Sequence, residues 1–168
     1  MIDNFDLPYS NNNTQIFTVV TSGTTSWQIW NKPSKAKFIY MICIGGGGGG
    51  GGGVAASALL RNGGAGGGSS SLTTALYMGY MVPDMLYIQV GPGGAGGASG
   101  TNGSSGALSY ISARPDSTAI NCFLVSGAAA AGGGPTGLGT GTAGTAMTTT
   151  QALNSYSALA SSIAGQAG

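Results

Sequence analysis

Asp84 and Asp116 are the two carboxylates that could act as the acid–base pair of a glycosidase, a reaction that needs one protonated and one ionised carboxyl group. Each directly follows a proline in turn-like sequence, where an aspartate side chain commonly hydrogen-bonds the backbone of the turn. The chain contains no histidine and no glutamate, so it lacks the usual general base and the usual acid of raised pKa. These residues predict turn formation and no catalytic activity.

Residues 91–96 match the dinucleotide-binding pattern G-x-G-x-x-G, and Asp116 lies 20 residues beyond Gly96, at the offset of a ribose-binding acid. That pattern binds pyrophosphate because its third glycine opens a helix whose N-terminus faces the phosphates. Here residues 98–106, ASGTNGSSG, follow it, and they are poor helix formers. A phosphate-binding P-loop is excluded because no lysine follows Lys37. The sequence therefore predicts no bound cofactor.

Cys43 and Cys122 are the only cysteines, and each lies inside a short apolar run. Two isolated thiols without a histidine do not form a metal-binding pattern. The sequence favours two small buried hydrophobic residues, and a disulfide between them is the alternative.

Charged side chains make up only 5% of the chain, and the net charge is +1. Such a balance gives no basic surface for a nucleic-acid partner. The longest apolar run, residues 38–44, is far shorter than the roughly 20 residues of a membrane span. Met1 is followed by Asp3 and Asp6 and not by the basic start of a signal peptide. We expect no nucleic-acid partner, no membrane span and no secretion by the ordinary route.

The elements that would position any site are short β-strands. Alternating, β-branched or aromatic runs separated by proline, glycine and aspartate turns predict strands at residues 14–21, 26–30, 35–44, 72–82, 85–90, 107–112 and 119–126. Apolar residues spaced three and four apart also indicate a short helix over residues 151–163. The pattern predicts an all-β protein, either a β-sandwich or a jelly-roll-like body.

Residues 38–44, FIYMICI, are apolar at every position, as in a strand buried between two layers. Side chains alternate between the faces of a strand, so Phe38, Tyr40, Ile42 and Ile44 share one face. Ile39, Met41 and Cys43 share the other face. We expect both faces to be buried.

Glycine supplies 34 of the 168 residues, and nine of them form the uninterrupted run 45–53. Two interpretations of this run are open. It is either a flexible loop or an ordered tract of polyglycine II, an extended helix with three residues per turn that packs closely where no Cβ intervenes. Around the glycine-rich β domain, 14–134, we expect an N-terminal docking arm at residues 1–13. A Gly/Ala/Thr-rich tail would follow at residues 135–168.

The order of these features resembles a known family. A tryptophan-proline element at residues 27–33 leads through the apolar strand 36–44 into the glycine run 45–53. A strand ending in IQVGPGGAGG, residues 88–97, comes next, and GTNG at 100–103 and GGG at 132–134 follow. This order is similar to the glycine-rich domain of tail fibres and other minor structural proteins of tailed bacteriophages. The likeness covers roughly residues 14–134.

The resemblance implies a virion structural protein, made in the host cytoplasm, that works by assembly as a tail fibre, adaptor or decoration component. It implies a homo-oligomer, most simply a trimer, in contact with other virion proteins. A receptor- or carbohydrate-binding adhesin module is the alternative, with a host-cell receptor as its partner. Neither interpretation assigns a catalytic, cofactor or metal site.

Overall fold

The computed structural model describes residues 14–20, 27–57, 60–133 and 159–168. This part of the chain contains nine β-strands: β1 (Gln28–Asn31), β2 (Phe38–Ile44), β3 (Val54–Ser57), β4 (Leu60–Asn62), β5 (Leu72–Met78), β6 (Met85–Gln89), β7 (Ser109–Ser112), β8 (Cys122–Ser126) and β9 (Leu159–Ile163). The helical elements among the described residues are two 3-10 turns, Gly79–Met81 and Ala119–Asn121. The predicted all-β class is confirmed. The predicted docking arm lies outside the described residues.

Two antiparallel sheets face each other. One has the strand order β1-β6-β7-β8 and the other the order β2-β5-β9, and a separate hairpin joins β3 to β4. Strands β2 and β5 pack against β7 and β8. The sandwich core between them consists of Ile39, Met41, Cys43, Ala75, Tyr77, Val82, Leu86, Ile111 and Leu124. The predicted sandwich therefore describes the side-chain core of the molecule.

Strand β2 shows a strict alternation of burial. Ile39, Met41 and Cys43 face the sandwich core and are at most 9% exposed. Phe38, Tyr40, Ile42 and Ile44 lie on the opposite face, and each is more than half exposed. The prediction that this second face is buried is wrong, because the second sheet covers β2 on only one side.

Three other segments differ from the sequence predictions. Residues 14–20 form no strand, although their alternation predicted one. The sequence predicted no strand between residues 44 and 72, and the structure forms the short hairpin β3–β4 there. The predicted helix over residues 151–163 is wrong at its C-terminal end, where Leu159–Ile163 is strand β9. Pairing with β5 gives the backbone N–H and C=O groups of β9 their hydrogen-bond partners. In a helix, these groups would have bonded to one another.

Candidate functional site

The glycine run 45–53, which follows directly on β2, is ordered by hydrogen bonds that repeat every three residues. The amides of Gly46, Gly49 and Gly52 donate to the carbonyls of Ala107, Ser104 and Thr101 at 2.8, 2.9 and 2.8 Å. The amides of Gly48 and Gly51 donate to the carbonyls of Gly68 and Ala65 at 2.9 and 2.8 Å. Residue numbers rise along the run and fall along both partners, so these two neighbouring segments run antiparallel to it.

The carbonyls of the same run accept hydrogen bonds from two further segments. Gly47 and Gly50 accept from the amides of Gly94 and Gly97, both at 2.8 Å. Gly49 accepts from the amide of Gly132 at 2.8 Å, and this segment, like residues 94–97, runs parallel to the run. A three-residue repeat with no internal hydrogen bonds is the geometry of polyglycine II. We call the set of segments 45–53, 64–71, 91–107, 127–133 and 164–168 the glycine lattice.

The outer segments of the glycine lattice also bond to one another. The amide of Ser104 donates to the carbonyl of Ala95, and that of Gly103 donates to the carbonyl of Gly132. The amide of Ala65 donates to the carbonyl of Gly133, and that of Ser69 donates to the carbonyl of Gln166. The central run is therefore surrounded by segments that are joined edge to edge.

Glycine is required at several positions of the run because the neighbouring backbones approach too closely there for a side chain. A Cβ added to Gly46, Gly49 or Gly52 would lie 1.8–2.0 Å from the carbonyl oxygen of a residue in segment 91–107. A Cβ at Gly47 or Gly50 would lie 3.6 or 3.4 Å from its nearest atom, which is an acceptable contact. Of the glycines in the described residues, Gly100 is the one with a positive φ. Close packing, and not unusual dihedral angles, explains the run.

Residues 91–96, the apparent dinucleotide-binding pattern, are part of this lattice. They are extended and open no helix. A Cβ at Gly91 or Gly94 would lie 2.2 or 1.9 Å from a backbone oxygen of segment 91–107. The three-residue spacing of Gly91, Gly94 and Gly97 is the sequence signal that could have indicated polyglycine II. The arrangement offers no helix N-terminus to a pyrophosphate, so the pattern is structural.

The two candidate glycosidase carboxylates have separate local roles. Asp84 is 94% exposed at its side chain and forms an ion pair with Lys32 at 2.9 Å. Asp116 accepts hydrogen bonds from the Asn121 side chain and from the amide of Thr118, both at about 2.9–3.0 Å. The Asn121 bond, followed by the Thr118 bond, lowers the pKa of Asp116. Asp116 therefore stabilises its own turn, as its sequence context predicted. Asp84 instead pairs with Lys32.

Lys32 is a positioning residue that sequence analysis did not single out. Its ammonium group donates to the carbonyls of Gly79 and Val82 at 3.1 and 2.7 Å, in addition to its ion pair with Asp84. These contacts fix the connection between β5 and β6 against the end of β1. A lysine followed by a proline carries no sequence signal for this role, because its partners are backbone carbonyls about 50 residues away.

Both cysteines are buried and free, as favoured from the sequence, and they form no disulfide. Burial raises the pKa of Cys43 to about 12 and also raises the pKa of Cys122. Because the thiolate is the reactive form, neither residue is suited to act as a nucleophile near neutral pH. Within the described ranges, no three metal-binding side chains are grouped to hold an ion. Nor is any helix there long and apolar enough to cross a membrane.

An exposed surface lies on the side of the β2-β5-β9 sheet that faces away from the sandwich core. We call it the outer face. It includes Phe38, Tyr40, Ile42, Ile44, Leu72, Thr74, Leu76, Met78, Ser161 and Ile163. An open cavity of about 350 Å³, lined by Ala36, Lys37, Phe38, Met78 and Tyr80, lies at one end. The outer face is a continuous, mostly apolar surface across three strands.

A sequence model described as a glycine-rich domain matches residues 20–168, most of the chain. The chain belongs to this glycine-rich domain family. No curated protein and no solved structure matches it. The matched range includes the central run, its hydrogen-bonded neighbours and strand β9. In the structure, residues 159–168 join the β2-β5-β9 sheet through β9 and bond to the lattice at Ser69.

Proposed function

We propose that this glycine-rich domain is a structural protein of a bacteriophage virion, a tail fibre, adaptor or decoration component that acts through assembly and not through catalysis. The proposal places the chain in the virion, in contact with copies of itself and with other virion proteins. A trimer is the oligomer we favour. The order of sequence features from residue 27 to residue 134 is the basis for the bacteriophage assignment.

The glycine lattice is the observation that carries a structural role. The segments of the glycine lattice are fixed to one another by regular backbone hydrogen bonds, and the contacts leave no room for side chains at Gly46, Gly49 and Gly52. The glycine lattice is stabilised by backbone packing, and its segments carry few side chains that could take part in a reaction. The thiols are buried and protonated, Asp116 bonds within its turn, and Asp84 pairs with Lys32. A rigid assembly unit fits these properties better than an enzyme does.

Copy counting in purified particles tests the proposal. Quantitative mass spectrometry of particles from the bacteriophage that encodes the chain should find it at a fixed copy number, in multiples of three for a trimer. The Gly46→Ala/Gly49→Ala/Gly52→Ala variant should be missing from the particles, whereas Gly47→Ala/Gly50→Ala should be incorporated normally. Particles that lack the wild-type chain would contradict a virion role.

The adhesin alternative gives a different result in the same system. An adhesin module, purified alone, should bind host cells and block adsorption of the bacteriophage at micromolar concentration. A chain that is present at fixed copy number but neither binds cells nor blocks adsorption is a structural component. A chain that blocks adsorption would favour the adhesin over our proposal.

A further inference from the structure

We infer that the outer face is the surface through which copies of this chain bind one another. This inference deepens the proposed function by naming the contact between copies, and it rests on the assembly role stated there. Its test is made on the isolated chain in solution, so that its failure can be told apart from absence of the chain from particles.

The outer face exposes as much apolar surface as the largest patches found on soluble domains. Phe38, Tyr40, Ile42, Ile44 and Ile163 are 55–65% exposed, and Met78 is 36% exposed. With about 200 Å² for each fully exposed large side chain, these six residues present roughly 600 Å² of surface. That is at the upper end of the largest patch on a typical monomer, about 300–600 Å². A surface of this kind marks a site of association.

The area is also what a contact between two copies requires. Two such faces buried together would remove roughly 1,200 Å² from water, the lower limit of a standard stable interface. The cavity at the end of the face, beside Phe38 and Met78, could add to this area by accepting an apolar side chain of the neighbouring copy. A single apolar ligand or a short peptide would leave most of the face uncovered.

The chemistry of the face favours a second copy over a charged partner. No charged residue occurs in β2, β5 or β9, and Lys37 lies beyond the end of β2. The face therefore offers no charge to attract a nucleic acid, an acidic protein or an anionic membrane surface. Two copies of an uncharged face do not repel each other electrostatically. Two pleated sheets can also pack face to face about 10 Å apart with their side chains interdigitated, and the outer face is a pleated sheet surface of this kind.

The edge position of β2 supports the same conclusion. Among the described residues, β2 is an outer strand in the order β2-β5-β9 and pairs with β5 alone. Its four exposed apolar side chains, Phe38, Tyr40, Ile42 and Ile44, therefore lie along an edge of the sheet. Long, flat, apolar edges promote aggregation when nothing covers them, and proteins usually interrupt them with charge or proline. Strand β2 has neither. Burial against another copy protects both the edge and the face.

The test compares two lysine variants of matched exposure. Ile42 of the outer face is 55% exposed, and Ile29 of β1, in the other sheet, is 54% exposed. Analytical ultracentrifugation of the full chain should give an oligomer of at least twice the 16.3 kDa chain mass. Ile42→Lys should raise the dissociation constant by about 30-fold or more, as expected for a residue at the centre of an interface. Ile29→Lys should leave the dissociation constant unchanged.

A milder variant guards against misfolding. Ile42→Thr keeps a β-branched side chain on the strand and should also weaken association, with an unchanged circular dichroism spectrum. A wild-type chain that stays monomeric up to 100 μM, or an oligomer that Ile42→Lys and Ile42→Thr leave intact, would overturn the inference. Binding of the monomer to neutral phosphatidylcholine vesicles would overturn it in favour of a membrane surface. Oligomers in solution without copies in particles would uphold the inference and reject the virion role.

Discussion

Strand β2 and the glycine run 45–53 are consecutive in the chain and are held in opposite ways. Residues Ile39, Met41 and Cys43 of β2 bury their side chains in the sandwich core. The run has no side chains, and its neighbours bond to its amides and carbonyls every three residues. Burial of side chains stabilises the first segment. Hydrogen bonds and close contacts between backbones stabilise the second, and they are possible because glycine has no side chain.

The difference shows how an ordered glycine tract can be stable at all. Ordering a residue costs about 1–2 kcal/mol of backbone entropy, and glycine recovers none of it by burying a side chain. Each intramolecular hydrogen bond contributes only about 0.5–1.5 kcal/mol net. The lattice supplies bonds on several sides of the run and adds close contacts between backbones. Stability there depends on every neighbour being in place, whereas a side chain in the sandwich core contributes through local burial.

The largest effect should come from adding methyl groups to the lattice. In Gly46→Ala/Gly49→Ala/Gly52→Ala, each new Cβ would overlap a carbonyl oxygen of residues 92–98. Overpacking costs roughly 1–3 kcal/mol per site, and together the three sites approach the whole stability of a typical domain. We expect the variant to unfold, or to melt far below the wild type in a calorimetric scan.

The matched control lies in the same run. Gly47→Ala/Gly50→Ala places its methyl groups in available space at negative φ. It should leave the melting temperature unchanged or raise it, because alanine restricts the unfolded chain by about 0.4–1 kcal/mol per site. If the two variants melted at the same temperature, the run would be a flexible spacer and the comparison with β2 would fail.

The next effect should come from removing atoms from the sandwich core. Leu124 on β8 is 0% exposed and contacts the core side chains of the facing sheet. Leu124→Ala should lower the free energy of unfolding by about 2–5 kcal/mol, because it deletes buried contacts and leaves a cavity. Urea titration measures this loss.

Ile120, 69% exposed in the 3-10 turn before β8, is the control for this substitution. Ile120→Ala should change the free energy of unfolding by no more than about 0.5 kcal/mol. Equal losses in Leu124→Ala and Ile120→Ala would show that the sandwich core does not stabilise the molecule through side-chain burial.

The sequence could predict the sandwich more fully than the lattice. Alternation and turn residues indicated six of the nine strands, because a strand signal is local. The choice between a loop and polyglycine II stayed open for residues 45–53, since it depends on hydrogen-bonded partners 14 to 83 residues away that must run alongside. The exposure of Ile42 was missed because an apolar side chain does not reveal whether its own chain covers it. Strand β9 was missed because its pairing partner, β5, is more than 80 residues away.

The smallest effect concerns the thiol of Cys43, which lies on the buried face of β2 and reports whether that face is closed to solvent. Its folded pKa is raised to about 12, whereas an unfolded thiol has a pKa of about 8.5. A raised folded pKa means that the stability is fully present below about pH 8.5 and is lost as pH rises toward 12. The urea midpoint of the wild type should therefore fall more steeply from pH 9 to pH 11 than that of Cys43→Ala. The raised pKa of Tyr77 affects both proteins alike, so the difference between the two profiles isolates the contribution of the thiol.

Alkylation of Cys43 should likewise be slow in the native protein at pH 9 and fast in urea. Parallel pH profiles, together with rapid native alkylation of Cys43 in a Cys122→Ala background, would place this face of β2 in contact with solvent.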